Sequence, residues 1–166
     1  MKKEIYLIRH AKSSWQHAGE IADINRPLAI KGLLAAKKMS EKLAHKKVAF
    51  DKIFASNGIR ALHTATIFAK TMCQEPSLIH IYSQLYLPLK SNILDVIKAV
   101  DDKDRVIAIF THDPGITDFA FNSNANLQHV ATAGIVHYTL DEDNWNEASF
   151  SNLEFESYDF PKNHLA

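Results

Sequence analysis

Ile5-Tyr6-Leu7-Ile8-Arg9-His10 is the stretch on which the fold of this chain turns: four consecutive apolar residues that end abruptly in a cation and an imidazole. A short, unbroken apolar run suits a strand buried on both faces, as in the parallel sheets of α/β proteins. Such sheets carry their chemistry just beyond the C-terminal ends of the strands, which is where Arg9 and His10 stand. Arginine is a permanent cation whose planar fork matches phosphate or carboxylate oxygens. Histidine near neutral pH can act as nucleophile, base or acid. The pair suggests a site for an anion, but two residues mean little until others are shown to reach them.

Working outward, strand-like and helical spacings alternate. A strand from Glu4 to Arg9 is followed by helical spacing at Ile30, Leu33, Ala36, Met39 and Leu43, with Pro27 at the helix start. A strand at Lys52 to Ala55 precedes a helix marked by Leu62, Ala65, Phe68 and Met72, and a short apolar stretch runs from Leu78 to Tyr82. Ile93, Ile97 and Val100 predict a third helix capped by Ser91. Val106-Ile107-Ala108-Ile109-Phe110 reads as a central strand, and a helix is expected from Pro114 with Ile116, Phe119 and Ala120 facing inward. Strands at Ile135 to Leu140 and around Leu153 and Phe155 complete the pattern, and Asp101 to Arg105 reads as a solvated turn. Interleaving of this kind predicts a three-layer α/β/α fold, a mostly parallel central sheet with helices on both faces.

The bulk properties narrow the class. At 166 residues, 46% hydrophobic and 23% charged, the chain is expected to form one domain spanning residues 1–166 with a substantial core. Nineteen basic and nineteen acidic side chains leave no net charge, so no global field favours nucleic acid or an anionic membrane. The single cysteine, Cys73, cannot form an internal disulfide, which fits a reducing compartment, and it reads as a buried helical thiol. The first apolar run is too short for a membrane span or signal-peptide core, so a cytoplasmic monomer is expected. Only five glycines are present, with no nucleotide-binding glycine motif.

In a parallel sheet the first and central strands end on the same edge, which brings Arg9-His10 and Thr111-His112 together. Ser56-Asn57-Gly58-Ile59-Arg60 follows another strand and opens a helix, adding Arg60 and free backbone N–H groups to that edge. Two arginines, two histidines and one or two helix N-termini converging on one crevice suit a dianionic phosphoryl group.

Three segments carry a family resemblance: Leu7-Ile8-Arg9-His10-Ala11-Lys12, Ser56 to Ala65, and Thr111-His112-Asp113-Pro114-Gly115-Ile116. In order and spacing they resemble the signatures of the histidine phosphatase superfamily, whose fold is phosphoglycerate mutase-like. Asp23-Ile24-Asn25-Arg26-Pro27-Leu28 with Gly32 is similar to a segment of the small SixA-like phosphohistidine phosphatases. Ala11 stands where most members have Gly, Asn57-Gly58 replaces Pro-Ala, His63 a Gln and Asp113 an Asn. Many members also place an acidic residue after a Leu-Tyr pair, whereas here Leu87 follows Leu85-Tyr86.

The resemblance implies that His10 is the nucleophile and becomes a transient phosphohistidine. Arg9 and Arg60 would grip the phosphate oxygens, and His112, protonated, would add a donor. Neighbouring cations would keep His10 unprotonated. With Leu87 unable to donate a proton, Asp113, Asp23 and Asp118 are the candidate donors. The implied substrate is a phosphorylated protein carrying phosphohistidine, because imidazole leaves more easily than an alkoxide and makes less demand on an acid. A small phosphorylated metabolite hydrolysed by a phosphomonoesterase is one alternative, and a non-catalytic phosphate-binding module is another. No cofactor and no metal is implied, since His17, His45, His63, His80, His129, His137 and His164 show no ligand spacing. Arg26 is expected to tie down its loop through Asp23 or a carbonyl. Gly32 is expected to allow close packing on that loop. Trp15, with Ser13 and Ser14, is a candidate for the pocket mouth.

Overall fold

A computed structural model describes residues 2–161. Its strands are β1 (Lys3–Arg9), β2 (Lys52–Ala55), β3 (Ile79–Ile81), β4 (Val106–Thr111), β5 (Ile135–Leu140) and β6 (Leu153–Asp159). They form one sheet in the order β3-β2-β4-β1-β5-β6. The β3–β2, β2–β4 and β4–β1 pairings are parallel; β1–β5 and β5–β6 are antiparallel. The helices are α1 (Ile30–His45), α2 (Ile59–Thr71), α3 (Lys90–Lys98) and α4 (Gly115–Asn122).

Pleating explains why β1 is apolar from Ile5 to Ile8 and β4 from Val106 to Phe110. Successive side chains point to opposite faces. Ile5 and Leu7, with Ile107 and Ile109, pack into a core that includes Ile93 and Ile97 of α3 and Ile116 and Phe119 of α4. Tyr6 and Ile8, with Ala108 and Phe110, face Ala36 and Met39 of α1 and Ala65 and Phe68 of α2. These two cores make the three layers the sequence predicts. The chain leaves β1 towards α1 on one face and β4 towards α4 on the other. A crevice therefore opens between the C-terminal ends of two adjacent strands, the usual ligand position in such sheets.

Several local expectations are corrected. Cys73 is exposed and lies beyond α2 in left-handed backbone (φ 56°), because the helix ends at Thr71 and the chain reverses there. Ile30 is exposed, since α1 turns its buried stripe through Gly32, Ala36, Met39 and Leu43. Pro27 precedes α1 rather than opening it. Ser91 lies inside α3, whose start is satisfied by Asn92: its Oδ1 accepts the Leu89 N–H at 2.8 Å. Pro114 is the residue before α4, which begins at Gly115. Within the 101–105 turn Asp104 is buried, 3.3 Å from Lys52 Nζ, and its carbonyl accepts the indole N–H of buried Trp145 at 2.7 Å.

Candidate active site

The register of the parallel strands assembles the site. Arg9 is paired with Thr111, and the His10 N–H donates to the Thr111 carbonyl at 3.0 Å, so His10 and His112 emerge side by side. Their ring centroids are 5.2 Å apart. On the other side of β4 the Ser56 N–H bonds the Phe110 carbonyl at 3.1 Å. From there Gly58 leads into α2, with Arg60 buried in its first turn. Thr64, one turn further, accepts the Ala11 N–H at 3.0 Å and donates to the Arg60 carbonyl at 2.6 Å, joining the loop after His10 to the helix that carries Arg60.

His10 is buried, and its Nδ1 lies 2.7 Å from the Ala11 carbonyl. A carbonyl can only accept, so Nδ1 carries the hydrogen and Nε2 keeps its lone pair. Burial, followed by the charges of Arg60, Arg9 and Arg26, pushes the pKa down to about 4 against the opposing Ala11 bond. The ring is therefore neutral near pH 7. His112 is fully buried, and desolvation with the neighbouring His10 and Arg60 lowers it to about 3. The protonated His112 expected from the sequence is corrected to a neutral imidazole: a cation without solvent beside guanidinium groups is too costly.

Both arginines are partly committed. Arg9 Nη1 donates to the Val130 carbonyl at 2.9 Å. Arg60 gives Nη1 to the Asp23 carbonyl at 2.8 Å and Nη2 to Asp23 Oδ2 at 3.0 Å. Their Nε groups, together with His112 Nδ1, are buried without a partner among the described residues. Buried donors are rarely left unpaired, and an oxyanion bound beside His10 would satisfy such a set.

Arg26 is buried and tied down as expected, with Nε 3.1 Å from Asp23 Oδ1 and Nη1 bonded to Ser13 Oγ at 2.6 Å and the Ser14 carbonyl at 3.1 Å. Its guanidinium lies 3.7 Å from the ring centre of Trp15, an exposed residue at the mouth. Gly32 is where α1 meets the loop after His10. A Cβ there would sit 2.1 Å from the Lys12 carbonyl oxygen.

The candidate proton donors separate clearly. Asp23 receives the Tyr86 hydroxyl, Arg26 and Arg60, which together hold its carboxyl far below the usual range, so it has no proton to give near neutrality. Asp118 is exposed on α4 and does not line the site. Asp113 does line it, and accepts the Thr117 hydroxyl. Tyr86 is a site residue that the sequence reading passed over. Its ring stands edge-on to His112 with centroids 5.1 Å apart, while its hydroxyl reaches Asp23. The available signal was the Leu85-Tyr86 pair singled out in the sequence; in the fold Leu85 is buried, while Leu87 is exposed in left-handed backbone (φ 43°).

These groups border a cavity of about 380 Å³ lined by Arg9, His10, Lys12, Arg26, Arg60 and Asp113 among others. His112 is fully buried and does not line it, but its ring centroid is 5.2 Å from that of His10, which does. A larger cavity of about 530 Å³ lies elsewhere, beside Tyr6, Lys42 and His137. None of the unpartnered guanidinium or imidazole nitrogens borders it, so the smaller cavity is the better site. Among the described residues no cluster of His, Cys, Asp or Glu has the makings of a metal site. His17 pairs with Glu20, His137 bonds Glu4 and stacks on Tyr6, and His164 lies outside the described residues.

Residues 5–80 match the histidine phosphatase superfamily (branch 1). Over those residues, from β1 into β3, the chain is similar to that superfamily. It matches no curated protein. Among solved structures, a putative phosphohistidine phosphatase SixA from Agrobacterium tumefaciens is 19% identical, with a TM-score of 0.81 over 96% of this chain and 99% of its own. The putative SixA from Nakamurella multipartitia is also 19% identical, with a TM-score of 0.80 over 97% of each chain. A phosphoglycerate mutase from Bacillus anthracis superposes less closely, at 16% identity and a TM-score of 0.64 over 86% of this chain and 89% of its own. At these identities the likeness is one of fold, and that fold is phosphoglycerate mutase-like.

Proposed function

We propose that this chain is a phosphatase that hydrolyses a phosphoryl group through a phosphohistidine on His10, and that its substrate is phosphohistidine in a protein. The observation that carries the proposal is the Nε2 lone pair of a neutral, buried His10 in a cavity bordered by Arg9 and Arg60, whose Nε donors have no protein partner. A neutral nucleophile meets a dianion without repulsion, while fixed donors hold the oxygens in line.

In the first step Nε2 attacks phosphorus, the bond to the leaving group breaks, and that group departs with the electron pair. In the second, water attacks the phosphorylated His10, the P–N bond breaks, and inorganic phosphate and neutral His10 are regenerated. A departing imidazole is readily protonated near neutral pH, whereas an alkoxide needs a proton as the bond breaks. Asp23 is held ionised, Asp118 does not line the site and Leu87 has no proton to offer, a scarcity of acids that favours phosphohistidine over alkyl phosphoesters; Asp113 is the one remaining candidate donor at the cavity. Superposition on the two proteins described as putative phosphohistidine phosphatases supports the same choice. The chain is read as a cytoplasmic monomer that needs no cofactor, nucleic acid or membrane, and no helix among its described residues is long and apolar enough to cross a bilayer.

The test is incubation with a ³²P-labelled phosphohistidine domain and, separately, with alkyl phosphoesters, followed by rapid trapping. Acid-labile label on wild type, its loss in His10→Ala, and faster turnover of the histidine domain are expected. Faster alkyl ester turnover would make the protein a small-molecule phosphomonoesterase. Phosphate binding without label or turnover would make it a recognition module.

A further inference from the structure

We infer that Ser56 is a positioning residue whose hydroxyl holds His112 in the Nδ1–H tautomer, so that a neutral His112 offers a hydrogen-bond donor to the phosphoryl group. Ser56 is fully buried at the end of β2. Its Oγ accepts the Gly58 N–H at 3.0 Å and lies 2.7 Å from His112 Nε2. Among the described residues the hydroxyl hydrogen has no other acceptor, so it is directed at Nε2, which must then be the unprotonated nitrogen. Nδ1 consequently carries the ring hydrogen, and it is the His112 nitrogen left without a protein partner. The opposite tautomer would strand a buried hydroxyl hydrogen and turn a lone pair, rather than a donor, towards a bound anion.

The ring has little freedom to escape this bond. A Cβ on Gly58 would lie 3.0 Å from His112 Cε1, 3.1 Å from Nε2 and 3.1 Å from Tyr86 Cδ1, so any larger residue would press on the imidazole and on the Tyr86 ring that stands edge-on to it. Burial beside Arg60 and Arg9 keeps His112 neutral, which makes its tautomer, rather than its charge, decide whether it donates. The tautomer itself does not depend on the proposed activity; only its catalytic consequence rests on that reading.

The experiment is long-range ¹H–¹⁵N NMR of histidine-labelled protein at pH 7, with His112 assigned through His112→Asn. The expected wild-type pattern is a protonated Nδ1 and a bare Nε2; a protonated Nε2 overturns the inference whatever the protein does catalytically. Ser56→Ala is expected to shift His112 towards the Nε2–H form and to lower kcat about tenfold with a smaller change in KM, as loss of a transition-state donor requires. Ser56→Thr keeps the hydroxyl and is expected to restore both. An unaltered tautomer in a folded Ser56→Ala protein also overturns the inference, while absence of phosphoenzyme with the Nδ1–H tautomer intact would fault the phosphatase reading alone.

Discussion

Asp23 holds both terminal nitrogens of Arg60, one through its carbonyl and one through its carboxylate. The loop before α1 thus supplies an anion to the very group that should grip a phosphate. Arg60 keeps only its Nε without a partner. Asp23 orients the guanidinium and at the same time repels a second anion.

Asp23→Asn should separate those two effects. Removing the negative charge is expected to tighten inorganic phosphate binding about fivefold, consistent with roughly 1 kcal/mol for a partly solvated charge pair. Weakened orientation of Arg60 should meanwhile lower kcat. Calorimetric titration with phosphate alongside steady-state kinetics reads both. Weaker phosphate binding would show that Asp23 acts only as an anchor.

Gly32→Ala is a test in which two effects oppose. Helix propensity favours alanine by about 1 kcal/mol. Against it, the new Cβ would lie 2.1 Å from a backbone oxygen of Lys12, with the Lys12 carbon and nitrogen at 3.0 Å. Backbone on both sides cannot relax cheaply, so a net loss of about 2 kcal/mol or more is expected, seen as a lower Tm. A raised Tm would mean that the loop after His10 yields readily.

Acid should unfold the protein in part through its two site histidines. Each has a folded pKa below the unfolded value near 6.5, so the unfolded chain binds more protons as pH falls. Their contribution is complete above about pH 6.5 and declines as pH falls towards about 4 for His10 and about 3 for His112. For His10 the loss is on the order of 3 kcal/mol. Denaturant titrations from pH 7 to 4 should show a shallower decline in His10→Asn than in wild type. Parallel curves would contradict this account.

Ligand binding should be visible in fluorescence. Trp145 is fully buried, with its indole N–H bonded to the Asp104 carbonyl, whereas Trp15 is 68% exposed and lies against Arg26 at the mouth of the site. Phosphate addition is expected to perturb Trp15 emission and leave Trp145 unchanged, so the saturable response should disappear in Trp15→Phe. A response that survives there would place the ligand elsewhere.

The sheet edge was legible in the sequence because two local properties encode it. Continuous apolar runs at β1 and β4 require burial on both faces, and abrupt polar ends mark where each strand leaves the sheet. Boundaries such as Ser91, Pro114 and the end of α2 were less legible, because several residues near a helix terminus can satisfy the same backbone groups. Tyr86 was hidden for another reason: no spacing rule links it to Asp23 or His112.

The sequence by itself determined the alternation of strands and helices, and with it the edge where Arg9, His10, Arg60 and His112 stand. Only the tertiary structure decided how those groups are poised. His112 is neutral rather than cationic, Arg60 is held by Asp23, and Asp23 is kept from acting as an acid. The physical reason is that periodicity reports which face of an element is buried, whereas protonation and hydrogen bonding depend on desolvation and on charges brought close from distant parts of the chain.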